Sequence, residues 1–181
     1  MPKNLTVEQI ENIVIDTGVV YINYGELDER MLAPTRGGNN FVVEQEIKII
    51  ERDGARGKEK GLRRVIREDA TLTVNLMDLS QENIKLALAG AVMDPTTKAI
   101  TNGNGEIPDT DYLKNITLLG ETLSGEYKVI TLYNALSDNG LSINMTDKNE
   151  SVVQLQFAAH YDPANLTQNI YKIEQLETLS A

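Results

Sequence analysis

Two stretches of alternating apolar and polar residues, joined by a charged loop, dominate the pattern along the chain. Period-two alternation is typical of a strand with one buried face. The apolar side of the first stretch carries Phe41, Val43, Ile47 and Ile49, and the polar side carries Glu44, Glu46 and Lys48. The pattern predicts a strand from Asn39 to Glu51, about 40 Å long at the usual rise per residue.

The second stretch repeats the alternation after a loop that contains three glycines and almost no apolar side chain. Leu72, Val74 and Leu76 alternate with Thr71 and polar neighbours, and Val65 lies further upstream. Residues 52–61 between the stretches carry Gly54, Gly57 and Gly61 among charged side chains, which is typical of an exposed loop. The simplest prediction is therefore a long antiparallel hairpin with a charged, protruding tip at 52–61.

Before the hairpin, the pattern predicts one further strand and a connecting loop. Residues 19–24 are apolar and β-branched between Gly18 and Gly25, which indicates a buried strand. Residues 26–40 contain a proline and a glycine pair, so we expect a loop there. Residues 1–12 have no clear period, and we leave open whether they form a helical turn or an N-terminal arm.

One helix is expected directly after the hairpin. Ser80 can cap its free amides, and Leu79 with Ile84 has the spacing of a hydrophobic staple. Ile84, Leu88 and Ala91 share one face, and Gly90 supplies a stop. This spacing predicts about ten helical residues, or roughly 15 Å, packed on a sheet.

The second half of the chain predicts mostly strands. Residues 94–110 are rich in turn signals, with a short hairpin near 98–101. Strands are then expected at 113–119, 127–133, 141–146 and 153–161, with a turn at 133–140 and a last strand within 166–175. The expected fold class is mainly β: an antiparallel sandwich or partly open barrel with one α-helix and a long protruding hairpin.

Composition narrows the classes of protein that fit. The 181 residues suit a single domain, 1–181, and the chain has no cysteine and one histidine, His160. Disulfides, thiolate chemistry and multi-histidine metal sites are thereby excluded. The sequence has no apolar run of membrane-spanning length and no signal-peptide core near Met1, so we expect a soluble protein made in the cytoplasm.

The net charge of −10 is unevenly distributed. Between Glu51 and Glu68 there are seven basic and four acidic residues, a local balance of +3, which leaves −13 on the rest. Such a body repels nucleic acid and attracts the basic tip of another copy, so self-association is electrostatically plausible. The alternative is that the charged run is only a solvated loop.

Searches for chemical motifs give weak candidates. His160 with Asp162 is a conceivable base and orienting acid, although a structural histidine fits better because no motif supplies a nucleophile. A loose calcium loop is offered by Asn102, Asn104, Glu106, Asp109 and Asp111, without the EF-hand spacing. The tip loop joins two strands, so it is not a phosphate-binding turn. We therefore expect no enzyme, no cofactor and no bound metal.

Several predicted strand faces carry Ser, Thr, Asn and Gln rather than charge, as at Thr71, Thr73 and Asn75. Such faces are either ordinary solvent-facing sides or the lining of a wet channel built from several copies.

The arrangement around the hairpin resembles the major tail proteins of long-tailed bacteriophages. The likeness spans Gly18 to Gly90, about the first half of the chain. It rests on the pair Gly37-Gly38 entering a long strand, the glycines of 53–61 at the tip, and the strand 71–76 leading to the Ser80 helix.

The resemblance implies a virion tail tube protein whose copies form hexameric rings with a continuous inner β-barrel. The rings stack into a tube through which DNA passes without specific binding. The implied partners are other copies, a tape measure and a tail terminator, with no membrane, and assembly takes place in the bacterial host cytoplasm. The loop residues implied to contact a neighbouring ring are Arg52, Asp53, Gly54, Arg56, Gly57, Lys58, Lys60 and Gly61.

Two alternatives stay open from the sequence. Tube proteins of contractile tails and of type VI secretion-like systems are similar in fold. A β-sandwich binding or adhesin module is the other, although a chain with no Trp and two Phe offers few aromatic side chains for a binding platform.

Overall fold

The computed structural model describes residues 4–15, 18–54, 56–143 and 151–179. Within these ranges the chain is mainly β, as expected. The strands are β1 (Val19–Ile22), β2 (Arg30–Met31), β3 (Thr35–Ile49), β4 (Arg63–Leu76), β5 (Val92–Met93), β6 (Ile100–Thr101), β7 (Leu113–Glu121), β8 (Tyr127–Ser137), β9 (Val153–Ala158) and β10 (Tyr171–Leu176). The helices are α1 (Val7–Glu11), α2 (Gln81–Leu86) and a 3₁₀ turn at Asp109–Asp111.

All strand pairings are antiparallel, and two sheets share β8. The first sheet has the order β2-β1-β7-β8, with β10 also paired to β8. The second continues from β8 through β9 and β4 to β3. The short β5–β6 hairpin stands apart. A short hairpin was expected at 98–101, whereas its strands are 92–93 and 100–101, so it begins six residues earlier.

Strand β8 passes from one sheet to the other at Asn134. Its first half, up to Leu132, pairs with β10, whereas Leu136 and Ser137 pair with β9. Asn134 between them has a φ of +47°. The turn expected at 133–140 was therefore wrong for 133–137, because a single left-handed residue bends the strand without ending it.

The core lies between the inner faces of the two sheets. In β4, Ala70, Leu72, Val74 and Leu76 are buried at period two, which confirms the predicted alternation. The same holds in β9. The largest core cluster contains Val20, Ile22, Leu32, Ala33, Leu72, Val74, Leu76, Ala87, Ile116, Leu132, Ala135, Val153, Leu155 and Phe157.

Helix α2 begins as predicted but is shorter and buries a different face. Ser80 caps it by accepting the backbone N–H of Asn83 at 3.5 Å. The buried positions are Asn83 and Ala87, not the predicted Ile84, Leu88 and Ala91. The Asn83 amide can be buried because its Nδ2 donates to the Asp78 carboxylate at 3.1 Å and to the Leu32 carbonyl at 3.4 Å.

The loop expected at 26–40 contains structure that the sequence pattern did not show. It includes the short β2, and β3 begins at Thr35, four residues before the predicted start. The ladder between β3 and β4 shifts register between Thr35 and Asn39. Gly37 and Gly38 both have positive φ there, so the strand passes through a bend that glycine tolerates.

Other elements differ less from expectation. The strand predicted at 153–161 ends at Ala158, and the last strand is β10. Residues 141–143 of the strand predicted at 141–146 form no strand, and the rest of that prediction lies outside the described residues. None of the helices in the described ranges has the length and apolar character needed to cross a membrane.

Candidate assembly interface

The β3–β4 hairpin is half embedded in the body and half free. From Ala70 to Leu76 every second residue of β4 is buried, but Arg63 to Arg67 are exposed on both faces. The facing part of β3, from Glu44 to Lys48, is also exposed. We call residues 44–67 the distal hairpin. Its paired strands extend about 20 Å beyond the body before the tip.

Apolar side chains remain exposed on this ribbon. Ile47 lies directly opposite Val65 in the ladder, and each is 50% exposed. The ladder shifts register between the pairs Glu46–Arg67 and Ile47–Val65, which leaves Ile66 unpaired in the ladder. Ile66 is 54% exposed. The sequence pattern correctly placed Ile47 on the same face as Phe41, but a half-buried strand was the wrong expectation for this end. The two strands extend beyond the part of the body that could cover their apolar side chains.

A small network at the neck holds the hairpin against the opposite sheet. The Tyr171 hydroxyl donates to Glu68 Oε1 at 3.1 Å, and Gln45 Nε2 donates to the same oxygen at 2.6 Å. The Tyr171 and Phe41 rings lie 5.9 Å apart. Burial, followed by the hydrogen bond to Glu68, raises the pKa of Tyr171. These contacts fix the direction in which the hairpin leaves the body.

The tip is closed by an ion pair across the loop. Arg52 Nε lies 2.9 Å from Glu59 Oε2, and its second guanidinium nitrogen donates to Glu59 Oε1 at 3.0 Å. Gly54 and Gly61 have φ angles of +86° and +90°, which other residues rarely adopt. An exposed bidentate pair contributes at most about 1 kcal/mol, but it gives this loop a defined shape.

The structure brings the eight predicted loop residues together at the tip, where all are exposed. Arg52 forms an ion pair with Glu59 of its own chain, whereas the sequence analysis assigned it only a contact with a neighbouring ring. Sequence reasoning missed the exposed apolar residues on the flanking strands. The available signal was strand length: alternation that continues well beyond a common strand length predicts residues that the chain's own core cannot cover.

The outer face of β4 and β9 is polar and uncharged near the body. It carries Thr71, Thr73 and Asn75 beside Gln154 and Gln156. Asn75 Oδ1 accepts from Gln154 Nε2 at 3.2 Å. These side chains are half-buried except for Gln154, so they form a hydrogen-bonded surface that carries no net charge.

His160 occupies a structural position. Its Nδ1 donates to the Asn134 carbonyl at 3.1 Å, and its ring meets the edge of Tyr112 at a centroid distance of 5.3 Å. The Asp162 carboxylate accepts the backbone N–H of Ala164 at 2.8 Å. Each of the two groups therefore has its own local role.

The residues of the loose calcium loop are held in separate contacts. Asp111 pairs with Lys85 Nζ at 3.0 Å and accepts the Gly90 N–H at 2.7 Å. Asn104 Nδ2 donates to Glu106 Oε2 at 3.0 Å within its own turn. The described residues contain no cluster of three or more His, Asp or Glu with metal-binding geometry.

The described residues thus define a mainly β, antiparallel protein with one projecting hairpin. No protein-family model matches the sequence, and no curated protein matches it. Among solved structures, a chain in the virion of a native gene transfer agent (GTA) particle is similar, with a TM-score of 0.46. A chain in the tail of an empty GTA particle, computed with helical refinement and C6 symmetry, has a TM-score of 0.48.

Both similar chains are 10% identical to this one, and each match covers 81% of this chain and 92% of the other.

Proposed function

We propose that this chain is a structural tail protein whose copies form hexameric rings that stack into a tube for the passage of DNA. The observation that carries the proposal is the distal hairpin. Two strands that leave the body with Ile47, Val65 and Ile66 exposed are marginally stable in water when isolated. Contact with another copy would bury those side chains and stabilise the ribbon, so the feature fits an assembling protein better than a monomer.

Unpaired strand edges give independent support. In the described residues β3 pairs with β4 alone, and β10 pairs with β8 alone. Each therefore presents a row of backbone donors and acceptors to its surroundings, and such edges attract further strands. Joining the sheets of several copies into one barrel would give these backbone groups hydrogen-bond partners.

The charge distribution fits both assembly and DNA passage. A body with a balance of −13 repels the phosphates of DNA, and the uncharged face around Thr73 and Gln156 offers no cation to hold them. We propose this face as a candidate channel lining. The basic distal hairpin is attracted to the acidic body of another copy.

The remaining roles follow from the same proposal. The tip residues, from Arg52 to Gly61, contact the neighbouring ring, and the other partners are a tape measure and a tail terminator. Copies assemble in the host cytoplasm and end in the virion tail. The role is structural, so the mechanism is a sequence of binding steps rather than a reaction.

Electron microscopy of the purified protein at increasing concentration tests this proposal. We expect rings and stacked tubes, and we expect deletion of residues 54–60 to abolish stacking while the circular dichroism spectrum and the melting of the monomer stay unchanged. The loop lies outside the core, which explains the retained fold.

Deletion within the exposed β5–β6 turn, at 95–98, is the matched control because it shortens a surface loop at another site. A protein that stays monomeric at every salt concentration would contradict the proposal. If tubes still formed after deletion of 54–60, the role assigned to the tip would be wrong.

A further inference from the structure

We infer that the distal hairpin of one copy docks on the N-terminal surface of the next copy, so that consecutive copies join head to tail. This inference rests on the proposed function and names the receiving surface. The N-terminal surface is defined as residues 4–15 together with the β7–β8 turn at 121–126.

The N-terminal surface is apolar and uncovered. α1 has no buried residue, and Leu5 and Val7 are 62% and 70% exposed. Its other exposed apolar side chains are Ile10, Ile13, Val14, Ile15 and Leu123. Its capping box, formed by Thr6 and Gln9, is local, and a short helix that buries nothing gains no stability from packing, the main source of helical stability in proteins. An exposed apolar surface of this kind is typical of a protein–protein interaction site.

The backbone of this segment is nevertheless held in place. Val14 pairs with Thr122, and the Leu123 N–H donates to the Ile13 carbonyl at 2.9 Å. The Ile15 N–H donates to the Glu121 carbonyl at 3.2 Å. The apolar side chains are thus presented from a fixed position at the β7–β8 turn.

The hairpin runs on from the neighbourhood of Gly18 toward a different part of the body. Asn39, at the embedded start of the β3–β4 ladder, donates to the Gly18 carbonyl at 3.4 Å, close to the β7–β8 turn. Further along the hairpin, the Ala70 carbonyl accepts the N–H of Ala159, and the His160 N–H donates to the Tyr133 carbonyl in the middle of β8. The distal hairpin continues beyond these contacts.

The charges of the two surfaces are complementary. From 44 to 67 the distal hairpin has eight basic and five acidic residues. The N-terminal surface carries Glu8, Glu11, Glu121 and Glu126 and no basic residue within 4–15 or 121–126. Opposite potentials steer two such surfaces together and suppress contacts between like ends. Apolar side chains on both sides, Ile47 and Val65 facing Val7 and Ile10, then supply the buried centre.

Engineered cysteines test the inference cleanly because the chain has none of its own. The chain to be tested carries both Ile10→Cys and Val65→Cys, and a disulfide between them needs Cα atoms within about 7 Å. Only a disulfide that joins two copies gives a covalent multimer. We expect mild oxidation of assembled protein to give a ladder of covalent multimers on a non-reducing gel.

The matched control carries Val92→Cys with Val65→Cys, since Val92 is 57% exposed but lies in the separate β5–β6 hairpin. Tubes that form normally but give no more covalent multimers with the first pair than with the control would overturn the inference and leave the proposed function standing. A protein that forms no rings or tubes overturns both.

A charge exchange provides a second test that needs no cysteine. Glu8→Lys with Glu11→Lys should slow assembly about tenfold, because complementary charge mainly affects association rates. Adding Arg63→Glu and Arg64→Glu to the same chain should restore most of the rate, measured by light scattering. Failure of the second pair to restore assembly would contradict the docking of these two surfaces.

Discussion

Asn134 allows one strand to serve two sheets. Its φ of +47° is left-handed, a conformation that asparagine tolerates better than most residues because its short amide can bond locally. Here Nδ2 donates to the His160 carbonyl at 3.2 Å, at the point where β8 exchanges β10 for β9. The residue thus combines a backbone requirement with a tertiary hydrogen bond.

These two contributions can be separated by substitution. We expect Asn134→Gly to lose only the hydrogen bond, about 1 kcal/mol of unfolding free energy. Asn134→Ala should lose a further 1–2 kcal/mol, roughly the cost of a left-handed conformation. Urea unfolding of both variants measures the difference. Equal stability of the two would show that the backbone conformation at Asn134 contributes no strain.

Tyr171 gives the neck of the hairpin a dependence on alkaline pH. Its pKa is raised above the ordinary value of about 10 by burial and then by the Glu68 hydrogen bond and charge. The folded protein therefore holds this proton more tightly than the unfolded chain. The stabilisation is complete below the unfolded pKa and is lost as the pH rises through the folded pKa.

We expect the melting temperature of the wild-type protein to fall more steeply above pH 10 than that of Tyr171→Phe. Glu68→Gln should shift the tyrosinate absorbance of Tyr171 to lower pH, since it removes the neighbouring charge. Identical alkaline profiles for all three proteins would refute a role for this pair.

His160 shows what residue-level sequence reasoning cannot reach. A structural histidine was the better prediction, and the ring is held by a hydrogen bond and an edge contact. Its partners, however, are a carbonyl 26 positions away and the ring of Tyr112, and neither follows from local spacing. Only the tertiary arrangement of β8 against the end of β9 brings these groups together.

The β3–β4 hairpin consists of two parts that differ in burial. Its embedded part is core, and its distal part contributes almost nothing to the monomer's buried surface. Sequence alternation predicted both strands because period two is the same whether the apolar face meets a core or a second molecule. The boundary near Asp69 could not be predicted, because it depends on where the opposite sheet ends.

Two alanine substitutions on β4 test this division. Leu72→Ala removes a fully buried side chain and should cost about 2–5 kcal/mol of unfolding free energy. Val65→Ala, on the same strand but half exposed, should change stability by less than about 0.5 kcal/mol. Denaturant melts of the monomer measure both. A large loss for Val65→Ala would mean that the distal hairpin is part of the monomer's fold.

Helix α2 and the end of β8 mark the limits of prediction at the level of elements. The capping signal at Ser80 was correct because capping is local. The buried face was wrong because hydrophobic spacing favours Ile84 and Leu88, whereas Asn83 is buried by hydrogen bonds to Asp78 and Leu32. Turn-forming residues at 133–137 likewise proved compatible with a bent strand.

For the molecule as a whole, the sequence predicted the fold class and the projecting hairpin. Strand content, β-branched residues and the glycine-bounded loop are all local signals. The sharing of β8 between two sheets was not predictable, because pairing partners far apart in the chain are set by packing. The N-terminal segment also gave no clear period, and its exposed apolar side chains became evident only in the fold.

The distal hairpin and the N-terminal surface are different surfaces of one chain, which has a consequence for growth under the proposed docking. Each copy that docks would cover one N-terminal surface and present an identical one of its own, so a contact of this kind forms an open filament unless its rotation closes a ring. An open contact of this kind does not limit the number of copies in the filament. The length of the resulting filament must then be set by a separate ruler or by a terminating cap, and the chain alone would polymerise until the free monomer is depleted.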